Sequence, residues 1–325
     1  MFDKLIETLK ANKRRTIVFT EGPDARILEA ASRLLKDDIM DIILVGVEAD
    51  VKAAAEKGGF DINGAKIIDP ATYAGMDAMV DKMVELRKGK MTPEDCRKNL
   101  QKGNYFGTML VKMGEADALL GGATYSTADT VRPALQLIKT KPGNKNVSSC
   151  FILLRTHDDG TDERLCMGDC AIQIDPDEDA LVETALECAK TAAIFGIDPK
   201  VAFLSYSTKG SGKGDAVDKV RNACEKAKAA APELAIDGEM QFDAAVSPVV
   251  GQLKFPGSKV AGYANTFIFP EIQSGNIGYK IAQRLGGFEA YGPILQGLNA
   301  PINDLSRGCN ADEVYKMAII TVALA

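Results

Sequence analysis

Short apolar runs alternate with helical stripes along the chain. Phe2, Leu5, Ile6 and Leu9 recur at helical spacing and predict a first amphipathic helix. Thr16-Ile17-Val18-Phe19-Thr20 is a compact apolar run, read as a buried strand ended by Glu21-Gly22-Pro23-Asp24. Ile27, Ala30, Ala31, Leu34 and Leu35 give a second stripe, Ile42-Ile43-Leu44-Val45-Gly46 a second strand, and an alanine-rich helix follows from about Glu48 to Lys57. This is the βαβ rhythm of a parallel sheet covered on both faces. Lys66-Ile67-Ile68 predicts another strand, and Met79, Val80, Met83 and Leu86 another helix, closing in Arg87-Lys88-Gly89-Lys90. Thr92-Pro93-Glu94-Asp95 opens the next, with an N-cap and proline at N1.

Ala118-Leu119-Leu120 is a short strand running into Gly121-Gly122-Ala123-Thr124-Tyr125-Ser126-Thr127-Ala128-Asp129. Glycines and small hydroxyl residues before a helix suit a phosphate cradle, though an ordinary capped turn reads the same way. Pro133 tolerates only a first turn, which predicts a helix start near Arg132 and a guanidinium beside the loop. Lys141-Pro142-Gly143-Asn144-Lys145-Asn146 is the best candidate for a domain boundary. Beyond it, Cys150 to Arg155 and Leu165 to Met167 flank an acidic turn, which predicts an antiparallel hairpin or edge in a mostly parallel sheet. A long helix covers roughly Asp179 to Phe195. The loop after the strand Val201–Leu204, Ser205 to Gly214, matches neither G-x-x-x-x-G-K-[ST] nor G-x-G-x-x-G, so it is an anion loop or an exposed sheet edge.

Near the C-terminus, Asn303-Asp304-Leu305-Ser306-Arg307-Gly308-Cys309-Asn310-Ala311-Asp312-Glu313 runs straight into an apolar helix. Asn310 with Glu313 forms a capping box, which needs no chemistry to explain it. A helix N-terminus fed by a hydroxyl and a guanidinium also suits an anion site. Glu313 lies in phase with Met317, Ile320 and Leu324 and points inward; Asp312 is in phase with Lys316 and faces water.

Composition narrows the classes. The chain has 325 residues, more than one core usually holds, so two domains are expected. With 46% hydrophobic and 26% charged residues it is an ordinary globular chain, and its net charge of −6 argues against a general nucleic-acid binder. No run is long and apolar enough for a membrane span, and the N-terminus lacks the pattern of a signal peptide, which predicts a cytoplasmic protein. Seven scattered cysteines predict free thiols. The single histidine, His157, leaves neither a zinc site nor a Ser–His–Asp hydrolase. Several arginines near Ser/Thr/Gly loops remain, which suits a cleft for anionic substrates.

Six segments carry a more specific signal: Ser126 to Gln136, Ser207 to Ser211, Asp237 to Ala245, Asn276 to Arg284, Tyr291 to Asn299 and Asn303 to Cys309. Together, in this order and across essentially the whole chain, they resemble the phosphotransacetylase (phosphate acetyltransferase) family. The resemblance implies two three-layer α/β domains with mostly parallel sheets and an interdomain cleft. Domain I would take residues 1–143 plus 298–325, the C-terminal helix returning to it, and domain II residues 144–297, with dimerisation expected there. It further implies reversible acetyl transfer between acetyl phosphate and coenzyme A, with coenzyme A as substrate, no metal and no other cofactor, in a homodimer. By matched position, Arg87 and Arg132 would contact coenzyme A or phosphate, with Ser126, Thr127 and Tyr291 also substrate-binding. Ser306 and Arg307 would hold the acetyl carbonyl and the phosphate.

One departure concerns the base. The family's proposed base is an aspartate seven residues after the motif serine, and here that position is Glu313, with Asp312 the fallback. A free thiol near 8.5 and a glutamate near 4.3 make full proton transfer uphill by about four pH units, ~6 kcal/mol. Glu313 would need burial, or transfer in step with thiolate attack, and a neighbouring Arg307 opposes the first. The rival readings are a phosphate butyryltransferase-like enzyme, a non-catalytic module that binds coenzyme A or acyl phosphate, and a dehydrogenase on a similar scaffold, the last disfavoured by the missing fingerprints and metal ligands.

Overall fold

A computed structural model describes all 325 residues, which fold into two compact units: Phe2–Pro142 with Leu298–Ala325, and Gly143–Gly297 with Met1. The first unit begins α1 (Phe2–Ala11), β1 (Thr16–Phe19), α2 (Ala25–Lys36), β2 (Asp41–Val45), α3 (Glu48–Gly58) and β3 (Lys66–Ile68). It continues α4 (Met76–Arg87), α5 (Pro93–Leu100), α6 (Gly103–Lys112), β4 (Ala118–Gly121) and α7 (Thr127–Pro133), which runs into a π-helical turn at Ala134–Ile138. The other unit holds β5 (Ser148–Thr156), β6 (Asp162–Gly168), α8 (Glu178–Ile194), β7 (Lys200–Leu204), α9 (Asp215–Ala230) and β8 (Ala235–Met240). It ends with α10 (Phe242–Val246), α11 (Pro248–Lys254), β9 (Thr266–Ile268), α12 (Ile272–Arg284) and β10 (Glu289–Gln296). The chain then completes the first unit with β11 (Ile302–Asp304) and α13 (Ala311–Ala323).

The first unit is a five-stranded sheet in the order β11-β4-β1-β2-β3, parallel throughout. Its strands are unbroken apolar runs because both faces are covered: Ile17, Val18 and Phe19 are wholly buried. Helix starts follow local chemistry. Asp24 caps α2, Thr92 and Asp95 form a capping box with Pro93 at N1 of α5, and Asn310 and Glu313 form another at α13. Helix α4 ends on Lys88 in the left-handed region, followed by Gly89, also at positive φ.

The other unit is a six-stranded sheet in the order β10-β5-β6-β9-β7-β8. β6, β9, β7 and β8 run parallel, and β5 and β6 form an antiparallel hairpin about the acidic turn. The antiparallel element expected from sequence is therefore present, but β10 pairs outside it, antiparallel to β5, and takes the edge. Gly292-Pro293 interrupts the register between Tyr291 and Ile294 and hides this strand from pattern reading.

A second correction concerns α7. It starts at Thr127, with Ser126 in the N-cap position, rather than near Arg132, and Pro133 closes it. Pro133 has no N–H for the carbonyl of Asp129 four residues back, and Asn104 Nδ2 supplies the donor instead, at 2.7 Å. The chain then widens into the π-helical turn, a common consequence of such a break.

Asp169 is the polar hub of the six-stranded unit. Buried at 4% exposure, its carboxylate accepts from Ser149 N and Oγ and from the N–H groups of Ala171, Ile172 and Gln173. Removing it strands several buried donors, so Asp169→Ala is expected to lower stability by roughly 3 kcal/mol or more, read as a drop in urea midpoint at unchanged m-value.

Candidate active site

The five-stranded sheet reverses its order beside β1: the chain builds outward through β2 and β3, then crosses to the other flank for β4 and β11. In parallel α/β sheets ligands bind at such a switch point, beyond the carboxyl ends of the strands. Asp304 is in register with Gly121, and Leu120 with Phe19, so β11, β4 and β1 deliver three loops side by side. They carry Glu21, Gly122–Ser126 and Leu305–Asn310.

The glycine loop does not offer an empty cradle. Glu21 Oε2 accepts from the N–H groups of Gly122 (3.0 Å) and Ala123 (3.3 Å), and Oε1 from Thr124 N (2.5 Å) and Oγ1 (2.7 Å). The donors read from sequence as a phosphate site are thus held by the chain's own carboxylate. Gly122 adopts φ +100°, and a Cβ there would run into Asp304 Oδ1 and the backbone of Leu305, so only glycine fits between the two loops.

Arg26, at the start of α2, ties the third loop to the second. Its guanidinium donates to Asp24, to the carbonyl of Ala123 (2.8 Å), and to the carbonyls of Arg307 (2.8 Å) and Cys309 (3.2 Å). Sequence reading passed over it because, Asp24 apart, its partners lie 97 or more residues away. The turn it holds exposes Ser306 and Arg307. Ser306 Oγ accepts from Gly308 N at 3.3 Å, which leaves its own proton to donate outward, and the Arg307 guanidinium makes no hydrogen bond or ion pair within the chain. Cys309 is buried beneath, its thiol pushed up to about 11 by burial, against Arg26 and with Glu313, Asp24 and Glu21 adding to the rise.

Glu313 is half-buried, and its Oε2 accepts from Asn310 N at 3.0 Å as the side-chain half of the capping box. Asp312 pairs with Lys316 and with Arg33, both at 2.9 Å. Ser126 Oγ donates to Asp129 at 2.7 Å, and Arg132 reaches Asp129 at 3.5 Å, largely exposed. Arg87, the last residue of α4, has a buried Nε without a partner. The Tyr105 phenol, raised by burial, is drawn back down by both Arg132 and Arg87, so the two guanidinium groups share one neighbourhood. Tyr291 belongs to the other unit; it is buried in β10 and its hydroxyl donates to Glu289.

Asp304 was quoted in the sequence motif but assigned no role there. It is buried at 1% exposure at the end of β11, with Oδ2 accepting from Thr127 Oγ1 (2.6 Å) and Oδ1 from Thr130 Oγ1 (2.5 Å). Burial pushes it up to about 6, the two threonine bonds oppose the rise, and Glu21 adds to it. No cluster of three or more His, Cys, Asp or Glu side chains is placed to hold a metal ion. At the Ser306 turn the structure thus sets an exposed hydroxyl and the free Arg307 guanidinium over an inner layer of carboxylates, with Arg132 and Arg87 together near Tyr105.

The chain is similar to known proteins along nearly its whole length. Residues 1–322 match the family described as phosphate acetyl/butaryl transferase. The chain is 55% identical over 315 residues to a phosphate acetyltransferase of Bacillus subtilis (strain 168), covering 97% of this chain and 96% of that protein. A phosphotransacetylase structure from Streptococcus pyogenes superposes with a TM-score of 0.94 at 54% identity, covering 99% of this chain and 97% of that one. One from Staphylococcus aureus gives 0.91 at 49%, covering 99% and 98%.

The raised Asp304 has a consequence for stability. Its folded value of about 6 exceeds an unfolded aspartate's roughly 3.9, so the stability it contributes is full below about pH 4 and lost as pH rises through about 6, roughly 3 kcal/mol in all. Asp304→Asn removes this term. The urea midpoint of the wild type relative to the variant is expected to fall between pH 4 and pH 7, and a pH-independent difference would contradict the assignment.

Proposed function

The chain belongs to the phosphate acetyl/butaryl transferase family, and on that premise we propose that it acts as a phosphate acetyltransferase, moving an acetyl group reversibly between acetyl phosphate and coenzyme A. The observation that carries this reading is the exposed Ser306–Arg307 turn, backbone-anchored by Arg26, at the switch point of the parallel sheet. Ser306 donates its proton to the acetyl carbonyl as charge develops on the oxygen, and Arg307 pairs with the phosphate and makes it a better leaving group. Arg87 and Arg132 meet the phosphates of coenzyme A, a role supported by the unpartnered Nε of Arg87 and by their shared neighbourhood at Tyr105. Ser126, Thr127 and Tyr291 complete the proposed substrate contacts, and Glu313 is the acid nominated by position to receive the thiol proton.

This chemistry needs no bound cofactor, since coenzyme A is itself the nucleophile and acetyl phosphate carries an activated carbonyl. We place the enzyme in the cytoplasm, a reading supported by seven free cysteines and by the absence of any helix long and apolar enough to cross a membrane. A homodimer is supported by the face of the six-stranded unit. There Tyr206, Phe242, Val246 and Ile281 are exposed around one groove of ≈ 660 Å³. A second copy is the occupant this reading requires, and Phe242→Glu with Ile281→Glu should convert a two-chain species into one chain by light scattering.

Mixing the protein with coenzyme A and acetyl phosphate, without added metal, should raise thioester absorbance, and butyryl phosphate should serve less well. No thioester from either donor would overturn the reading; a preference for butyryl phosphate would reassign the acyl group. Because charge neutralisation at phosphate outweighs a base that already carries a cap bond, Arg307→Ala should lower kcat by roughly 10²-fold or more and Glu313→Gln by less. The reverse ranking would make Glu313 the dominant group.

A further inference from the structure

We propose that Asp304 is the acceptor of the thiol proton, with Thr127 relaying it. This rests on the acyl-transfer reading above and goes beyond it, because it moves the proton to a carboxylate that no family position nominates.

The geometry separates two faces of one hydroxyl. Thr127 stands exposed at the first position of α7, yet its proton is committed inward, to Asp304 Oδ2 at 2.6 Å. A hydroxyl so pinned presents only lone pairs to an arriving group, and a thiol S–H is a donor that matches them. Thr130 makes the equivalent bond to Oδ1 but is buried at 1% exposure, so it braces the carboxylate without reaching solvent. Asp304 is two residues before Ser306 on the same strand end, which ties the acceptor to the turn that would hold the acyl group.

The surroundings favour uptake of a proton. No arginine or lysine pairs with Asp304; burial and the nearby Glu21, at the end of β1, both disfavour its charge. The Tyr125 phenol, itself raised by burial, faces it as a neutral group at working pH. An acceptor near 6 lies about 2.5 below a free thiol near 8.5, whereas an ordinary glutamate lies about 4 below. Glu313, by contrast, has one oxygen bound to Asn310 N at the α13 cap.

The step balances. The S–H bond breaks and its proton passes to Thr127 Oγ1, whose own proton passes to Asp304 Oδ2. The sulfur electron pair forms the C–S bond, the acyl C–O bond to phosphate breaks, and phosphate leaves with that pair. In the reverse direction Asp304 returns the proton through Thr127 to the departing thiolate.

The test measures kcat from pH 5 to pH 9, with KM for coenzyme A and thermal melting as controls, for wild type, Asp304→Asn, Thr127→Ser and Thr127→Val. Wild-type kcat should fall as pH drops through about 6. Asp304→Asn should lose about 10²-fold in kcat with KM within a few fold, and its residual rate should no longer show that acid limb. Thr127→Ser keeps the hydroxyl and should retain most activity, while Thr127→Val should fall toward Asp304→Asn. A folded Asp304→Asn with more than a third of wild-type kcat, or Thr127→Val equal to Thr127→Ser, overturns the relay. Should Asp304→Asn not fold, the Thr127 pair decides the matter alone. An active wild type with an unimpaired Thr127→Val sinks only the relay; a wild type that forms no thioester sinks the acyl-transfer reading and the relay with it.

Discussion

Backbone N–H groups at the ends of buried parallel strands have to find acceptors, and in this protein acidic side chains supply them. Glu21 takes the donors of Gly122, Ala123 and Thr124. In the other unit Glu239, 1% exposed, takes Ser207 Oγ at 2.8 Å and Gly210 N at 2.7 Å, and Asp169 takes three successive backbone donors and more. Each is a loop that would otherwise leave buried donors unpaired, at a cost of about 1–3 kcal/mol per group. Each carboxylate also cross-links two strand ends, so the loops are fixed before any ligand arrives.

That constraint sorts charge by depth. In the five-stranded unit the inner layer is Glu21, Asp24 and Asp304, and the one cation among them, Arg26, is consumed by Asp24 and by backbone carbonyls. The outer layer is Arg307, Arg132 and the end of Arg87. The carboxylates behind them fix the loops, and Glu21 adds to the rise of Asp304. Preorganisation of this kind is what electrostatic stabilisation of a transition state requires, since groups already in place cost little to reorganise. Arg26 shows how indirect the contribution of a residue can be: it touches no proposed substrate, yet the position of the Ser306–Arg307 backbone depends on it.

Much of the scaffold was legible from local pattern. The βαβ alternation, the hairpin about the acidic turn, the Thr92 N-cap, the capping box at Asn310 and the Asp312–Lys316 pair all involve residues close in sequence. What escaped was long-range. Glu21 and Gly122 are 101 residues apart and Thr130 and Asp304 174 apart, so local pattern left the glycine loop open between an anion cradle and an ordinary capped turn. The loop after β7 read as an anion site or an exposed edge; most of it is exposed, and its Gly210 N–H is taken by Glu239. Strand β10 was hidden by Gly292-Pro293, and the start of α7 was misjudged because the partner that tolerates Pro133, Asn104, lies on α6. Sequence shows which donors a loop owns; only the fold shows which of them are already taken.

The Asp312-Glu313 order is the place where these two kinds of information meet. A capping box requires an acceptor at N3 long enough to reach back to the N-cap N–H, and glutamate does so with Asn310 at 3.0 Å. Asp312, one position earlier, is engaged by Arg33 and Lys316 on the outer face of the helix. Helix chemistry alone thus accounts for a glutamate at 313, so its identity there is no argument for or against proton transfer. Asp304, nine residues earlier, has no cation beside it and is held by hydroxyl donors alone. Its carboxylate joins the end of β11 to α7 through Thr127 and Thr130, and burial makes its ionised form costly.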